Sequence, residues 1–504
     1  MKRAIKTSVF VLLFSLIFVI FLFSCAENDI AGPSEKDDGS PEAQKDAGEA
    51  GEASESNILK DNVPELDFGG YEYRVVSGTY NLRNEDLFPE SEIGDVLNDA
   101  IYQRNQIIED RFNIQFDAKT INLFDLLNTL RKNVKAGDDS FDMYMQIDRE
   151  AHTAAAENLL YQIDKLPYID LTQAYWCPVP NGQLTINGKL YWAFSDDMLS
   201  FLEATVVTYY NKKQIADLGL EDIYGLVRSG DWTHDKMFEY AKLAVKDLNG
   251  DGIMDESDNW GIISEHYYVA QSFWVSAGIK LIEKDKDDLP YFAIVGNDKF
   301  FDIADRVITE FNAKKGLFME TFSAKLPSYP GDSAMAQRLG FFRDGHVLFS
   351  VGAIPETIDL RDMPDDFGIV PFPKYNKEQP QYYSSVCGGF PFVIPSTNQR
   401  PEIAGALMEA LACEGKNRII PAYYEMALKN KYSRDGDTAE MLDIIYESRV
   451  YDLGATIWPA PGTDYTYAFI AQTNTFASVT EKNADRYDEI MKKAVDALLE
   501  NLNN

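Results

Sequence analysis

The sequence predicts an α/β fold with a mostly parallel sheet, carried by more than one lobe. Three observations predict it. Strand-like and helix-like segments alternate between residues 71 and 147. Hydrophobic residues make up 45% and charged residues 25% of the chain, the balance of a sequence that buries a core. Its 504 residues also exceed what one core usually fills.

Tyr71-Glu-Tyr-Arg-Val-Val-Ser77 alternates in the manner of a strand. From Ile93 to Phe112 the apolar residues Val96, Leu97, Ile101, Ile107, Ile108 and Phe112 fall near helical spacing, and Asn113 to Asp117 reads as the next strand. Leu126, Leu127 and Leu130 share one face of a helix over Leu123 to Val134, and Asp142 to Ile147 is a third strand. Ligands bind such sheets beyond the carboxyl ends of the strands, which places Ser77, Gly78, Gln146 and Asp148 on the rim of a crevice. A second block opens with the strand Ala204 to Tyr210, followed by a helix from Asn211 and another over His234 to Val245 that Thr233 caps. Asp365 to Pro371 and Phe390 to Ile394 read as strands, and Tyr487 to Leu502 as a terminal helix.

The N-terminus has its own chemistry. Lys2, Arg3 and Lys6 precede an apolar run from Val9 to Phe23, the shape of a signal peptide and short for a membrane span. The run ends in Leu22-Phe23-Ser24-Cys25, which resembles the lipobox of bacterial lipoproteins. That resemblance implies a signal peptide over 1–24, a lipidated Cys25, and a membrane anchor on the outer face of the cell. Residues 25–65 are rich in Glu, Asp, Ala, Gly and Ser, with few large apolar side chains to offset ordering entropy, so they read as an acidic disordered tether.

Composition excludes several functions. With 47 Lys and Arg against 81 Asp and Glu, the net charge of −34 lacks the basic footprint that nucleic acid requires. Four Cys do not make a disulfide scaffold, and four scattered His disfavour a His-based zinc site. Beyond Cys25, the three thiols Cys177, Cys387 and Cys413 read as small buried hydrophobes in a monomer. G-x-S-x-G, H-E-x-x-H, P-loop and Rossmann motifs do not occur.

The strongest local motif is Asp247-x-Asn249-x-Asp251-Gly252-Ile253-x-Asp255-x-x-Asp258. Oxygens at the first, third and fifth positions, a Gly for the sharp turn, the Ile253 carbonyl and closing acids match a twelve-residue calcium loop, so structural Ca2+ is expected here.

Tyr209-Tyr-Asn-Lys212, Asp231-Trp232-Thr233, Phe342 to Phe349 followed by Val351-Gly352, and Phe367 to Lys374 occur in one order. In this array the chain resembles the extracellular solute-binding proteins of carbohydrate ABC importers, family 1. The long segment Leu159 to Lys189 and an enlarged C-terminal half depart from that pattern. The resemblance implies a two-lobed periplasmic-binding-protein fold of type II, with a first lobe of 66–200 and 390–413 and a second of 201–389 and 414–504. Crossings are expected near Leu199 to Thr205, Ser385 to Phe390 and Glu414 to Ile419. It further implies a carbohydrate, most simply an oligosaccharide, enclosed between the lobes and delivered to permease subunits of an ABC transporter.

Sugar rings pack on aromatic faces while hydroxyls need fixed polar partners. On that basis Ser77, Gln146, Asp148, Trp192, Asp196, Asp197, Phe273, Trp274, Trp458 and the backbones of Gly352, Gly388 and Gly389 are the ligand candidates. Alternatives stay open: a secreted carbohydrate-active enzyme working through paired carboxylates, or a surface adhesin or sensor.

Overall fold

Two separate sheets organise the chain, and their strands come from interleaved parts of the sequence. The computed structural model describes residues 58–79, 87–321, 326–329, 333–429 and 437–500. The signal peptide, Cys25 and residues 25–57 of the expected tether lie outside the described residues. Residues 58–65, expected as the end of that tether, pack on the body: Arg111 holds Asp61 at 2.6 Å and donates to the Val63 carbonyl.

In the first sheet Tyr71–Thr79 pairs in parallel with Ile114–Asn122 on one side and Met143–Met145 on the other. Phe392–Val393 closes the far edge antiparallel to Met143–Met145. The helices Val96–Phe112 and Leu126–Lys135 connect the parallel strands, as the alternation predicts. Asp95 caps the first of them, accepting from the Leu97 and Asn98 amides, and Ile108 and Phe112 bury its inner face. One expected helix is divided: Leu123–Asp125 is a single 3-10 turn and the α-helix starts at Leu126. Asn122 accepts from the Phe124 amide and so ends the strand in that turn.

The second sheet runs in the order Phe367–Pro371, Val206–Asn211, Val347–Ala353, Trp260–Ser264, Phe318–Glu320. The first two pairings are antiparallel and the last two parallel. Val206, Val207, Tyr209 and Tyr210 are all fully buried, because both faces of this interior strand are covered: Val206 and Tyr210 pack into one hydrophobic core, Val207 and Tyr209 into another. Thr233 caps the helix His234–Ala244 through its side chain, as expected. The terminal helix, expected from Tyr487, already begins at Phe476 and runs to Glu500.

Three passages join the sheets. At the first two, Thr205 bridges Val386 and the Cys387 amide donates to the Ala204 carbonyl, so the passages brace one another. The third is a π-helical stretch, Gly415–Ile419, between the helices Pro401–Glu414 and Ile420–Lys429. A Cβ on Gly415 would lie 2.4 Å from the Asp196 carbonyl oxygen, so only glycine lets this passage run so close to residues 196–197.

The segment 159–189 wraps the first lobe and is pinned by one buried acid. Glu409 accepts from the Tyr175 hydroxyl at 2.5 Å, the Trp176 indole at 2.8 Å and the Asp170 amide at 3.1 Å. Cys177 and Cys413 are buried free thiols; Cys387 is part-exposed at the passage. Among the described residues no helix is long and apolar enough to cross a membrane.

Candidate functional site

Where the passages meet, a cavity of about 560 Å3 opens between the lobes. The first lobe contributes Leu123, Phe124, Ile147, Asp148 and Arg149. Ser200, Glu203, Ala204 and Cys387 to Phe390 form its back at the passages. Tyr268, Met335, Glu356, Asp359 and Thr456 line the second-lobe side. Chain ends of both sheets thus converge on one space, the place where open α/β sheets bind ligands.

Asp148 sits at the centre of the first-lobe wall. It begins the helix Asp148–Ala156, and its carboxylate accepts from the Tyr451 hydroxyl at 2.7 Å and its neighbouring amide, Arg149, at 2.7 Å. Burial nevertheless pushes its carboxyl up to about 6, since these donors do not replace full hydration. Gly388 faces it with φ 137°, and a Cβ there would come 3.0 Å from Asp148 Oδ2. A left-handed backbone and a close carboxylate together require glycine at this point.

The second-lobe wall rests on a buried ionic cluster. Arg338, wholly buried, donates to Glu265 and Glu356, each at 2.6 Å, and to the Ser350 hydroxyl at 2.7 Å. Glu356 packs on the backbone of Gly352 so tightly that a Cβ there would be 2.0 Å from Glu356 Oε2.

Of the residues expected from sequence, Asp148, Gly388 and Gly389 line this cavity. The others lie elsewhere. Ser77 is buried one strand away, 3.2 Å from the Thr120 hydroxyl in the same sheet. Gln146 is wholly buried just past the strand Met143–Met145; its backbone amide donates to the Pro391 carbonyl at 3.0 Å, while its side-chain amide has no partner among the described residues. Trp192 packs edge-on against Phe194 in the core. Asp196 accepts from the Tyr446 hydroxyl at 2.8 Å and pairs with Lys416 at 3.1 Å, so it braces the third passage. Asp197 is buried against Ser195, and burial raises its carboxyl. Phe273 belongs to an aromatic core, stacked on Phe238. Trp458 is buried edge-on against His152. Gly352 lies beneath Glu356. Trp274 lines a second, smaller pocket of about 120 Å3 with Tyr267, Gln271 and Tyr467, which shares Ala455 with the main cavity.

Among the described residues the aromatic rings at the main cavity are Phe124, Tyr268 and Phe390. Sequence reasoning favoured tryptophans and missed them. Phe124 carried a signal: a large apolar residue between a polar strand end and a helix, and the structure leaves it 59% exposed. Glu203 and Glu356 were missed because acids are plentiful and only folding brings these two to one space.

The loop 247–258 folds as a tight chain of turns. Asp247 accepts from the Gly250 and Gly252 amides at 2.6 and 2.9 Å, Asn249 from Asp251 at 2.9 Å and Asp251 from Ile253 at 2.7 Å. Asp258 is fully buried and accepts from the Leu248 and Asp255 amides. Asp255 accepts from the Ser257 amide at 2.8 Å. Among the described residues no group of three or more His, Cys, Asp or Glu is close enough to hold a metal ion.

Solved structures share this fold at low sequence identity. A sugar-binding protein of Xanthomonas citri, MalE, aligns with TM-score 0.56 and 14% identity over 84% of this chain and 98% of its own. The cyclic α-maltosyl-1,6-maltose binding protein of Arthrobacter globiformis gives 0.55 and 14% over 85% and 99%. The ABC substrate-binding protein Lmo0181 of Listeria monocytogenes, in complex with cycloalternan, gives 0.52 and 14% over 84% and 99%. No curated protein matches the sequence. The family model of the bacterial extracellular solute-binding proteins matches residues 106–418, more than half of the chain and both walls of the cleft. With two sheets, three connecting passages and a cavity between them, the chain belongs to the bacterial extracellular solute-binding proteins.

Proposed function

We propose that this protein captures an oligosaccharide in the interlobe cleft and delivers it to the permease of an ABC transporter. The observation that carries the reading is the cleft itself: about 560 Å3, bounded by both lobes, with Phe124, Tyr268 and Phe390 as flat faces and Asp148, Glu203 and Glu356 as polar partners. That volume falls in the range of about 300–1,000 Å3 typical of small-molecule sites. The similar Arthrobacter and Listeria proteins bind cyclic α-maltosyl-1,6-maltose and cycloalternan by their descriptions, which supports a glycan here.

A ligand touching both walls binds the closed arrangement more tightly than the open one and shifts the population toward it. The closed surface is then what a permease would read. In this proposal the ligand leaves unchanged, with Asp148, Glu203 and Glu356 as hydrogen-bonding groups rather than a catalytic pair. Lipid on Cys25 would hold the monomer to the outer face of the membrane, with the acidic segment as spacer. Calcium in the loop 247–258 would fix the end of the helix His234–Ala244, the Asp247, Asn249, Asp251, Asp255 and Asp258 side chains and the Ile253 carbonyl turning inward on binding.

The test is thermal unfolding of the purified protein against a panel of neutral oligosaccharides, with chromatography of each sugar afterwards. A saturable upward shift with one glycan class, recovered intact, is the expected result. Cleavage of that glycan would replace the binding reading with an enzymatic one.

A further inference from the structure

Two turn tips, one from each lobe, meet outside the cleft. The first ends the long segment 159–189: Ile186 and Lys189 bridge one another through their backbones, with Asn187 at φ 50° and Gly188 at φ 70° closing the turn. This segment is fixed to the first lobe, where Glu409 holds Tyr175 and Trp176 and Asn181 exchanges two hydrogen bonds of 2.8 Å with the Phe194 backbone. The second tip joins the strands Ile282–Lys284 and Pro290–Phe292, and Asp285 accepts there from the Asp287 and Leu289 amides at 2.8 and 3.0 Å. That hairpin is fixed to the second lobe: the Phe292 ring packs edge-on against Tyr487, and its amide donates to Asp488 at 3.1 Å.

Between the tips lies a charged clasp. Lys284 Nζ donates across to the Gly182 carbonyl at 2.5 Å, the Thr185 hydroxyl at 2.7 Å and the Thr185 carbonyl at 3.1 Å, and it pairs with Asp288 of its own hairpin. Asp288 accepts in return from the Thr185 hydroxyl at 3.0 Å and the Gly188 amide at 2.9 Å, while its backbone carbonyl accepts from the Asn187 amide at 3.1 Å. Lys280 adds a bond to Gln183 at 3.2 Å. The construction suits a contact that parts and re-forms. Each tip keeps its turn through bonds of its own, so neither has to refold on separation. The side chains of Lys284 and Asp288, 12% and 29% exposed, already reach water, and parting exchanges their hydrogen bonds for hydration without uncovering an apolar face. Unlike the three passages, the clasp consists of side chains and turn amides alone.

We infer that these tips form an interlobe latch that restrains opening of the cleft. Among the described residues neither tip lines the cleft, so the latch acts on the lobe equilibrium without touching a ligand, and it is independent of what the cleft binds. With the tips engaged the lobes stand as in this structure; a rotation about the passages that widens the cleft draws the tips apart. The charge-assisted bonds of Lys284 and Asp288 favour the engaged arrangement before any ligand arrives.

The experiment compares the ligand-free protein with single variants of the same chain by hydrogen exchange and small-angle X-ray scattering. Lys284→Met keeps the apolar stem and removes every bond its ammonium makes across the clasp. Asp288→Asn suits the left-handed backbone of that position, φ 61°, and removes the charge. Each should speed exchange of the Asn187 and Gly188 amides, whose acceptors belong to the other lobe, by at least about 10-fold, and raise the radius of gyration, about 22 Å for a compact body of this size, by roughly 0.5 Å or more. Lys286→Met is the control: it lies on the same tip, its side chain is 88% exposed and it pairs with Asp287, so its loss should change neither readout. Circular dichroism melts establish that the variants fold; if Lys284→Met does not, Thr185→Val, which removes the hydroxyl between Lys284 and Asp288, is read in its place. Amides that exchange as fast in the wild type as in the variants overturn the engagement of the tips. Faster amides with an unchanged radius of gyration overturn the latch, since the tips then touch without restraining the lobes. A change in Lys286→Met equal to that in Lys284→Met overturns the assignment to the clasp.

Discussion

Arg338→Met is the perturbation that asks most of the second-lobe wall. Its guanidinium is wholly buried and donates to two carboxylates and the Ser350 hydroxyl. Methionine fills a similar volume but leaves Glu265 and Glu356 facing one another with no cation between them. Removing one partner of a buried ion pair costs about 3–5 kcal/mol, chiefly because the remaining charge stays desolvated. For a cooperative unit of some 200 residues each kcal/mol lowers Tm by roughly 2–4 °C, so a fall of roughly 6–20 °C is expected. The companion variant Arg338→Met/Glu265→Gln/Glu356→Gln removes all three charges and should recover most of that loss. Differential scanning calorimetry at pH 7.5 reads both. A single substitution costing less than about 1 kcal/mol, or a triple variant no better than the single, would refute the claim that this cluster is held by mutual charge neutralisation in a dry interior.

Phe124→Ala should leave stability within about 0.5 kcal/mol, since the side chain is 59% exposed, yet weaken ligand binding several-fold through loss of a stacking face worth about 0.5–1.5 kcal/mol; calorimetric titration beside a melting curve separates the two effects. The buried Asp452 accepts from the Leu281, Ile282 and Gly454 amides, and burial still pushes its carboxyl up to about 6, as it does for Asp148. A raised carboxyl makes the folded state the better proton binder between about 4 and 6, so its contribution to stability falls as pH rises through that window. His152 and His234, pushed down to about 4 and about 3 by burial, act in the opposite sense below 6.5. Wild type minus Asp452→Asn isolates the carboxyl: the Tm difference should favour wild type more at pH 5 than at pH 7.5, and a difference independent of pH would contradict the assignment. Calcium at a hundred times its Kd should stabilise the protein by about 2.7 kcal/mol, with Asp247→Ala abolishing the gain; a melt unaffected by calcium or chelator would remove the ion from the account.

How much of this was legible in the sequence varies with the physics that decides each feature. The first sheet was readable because its strands and helices alternate with clean polarity periods, and the real boundaries shift by only a few residues at Tyr71–Thr79 and Val96–Phe112. Thr233 as a cap was readable because capping is local chemistry. The divided helix at Leu123 was not, since Asn122 capturing the Phe124 amide competes with an otherwise sound apolar face. The terminal helix was read eleven residues short, because Phe476 and Thr480 are buried by tertiary packing where local polarity is high. Glycines marking close approach were partly legible: Gly388 as a cleft residue was anticipated, while Gly352 proved to seat Glu356 rather than a ligand. Tryptophans were the poorest guide. Trp192 and Trp458 go to the core because they bury the most area there, and the cleft is left to smaller rings, Phe124 in a 3-10 turn, Tyr268 on the helix His266–Val275 and Phe390 at a passage.

The central claim is that the interlobe cleft binds one oligosaccharide and returns it intact. Titration calorimetry of the purified protein with neutral glucan oligosaccharides, followed by mass analysis of the recovered sugar, tests it most directly. The account predicts saturable binding at one ligand per chain, lost when Phe124 and Glu356 are replaced together, with the sugar unchanged in mass. Binding that survives that double replacement, or a sugar recovered in fragments, would contradict it.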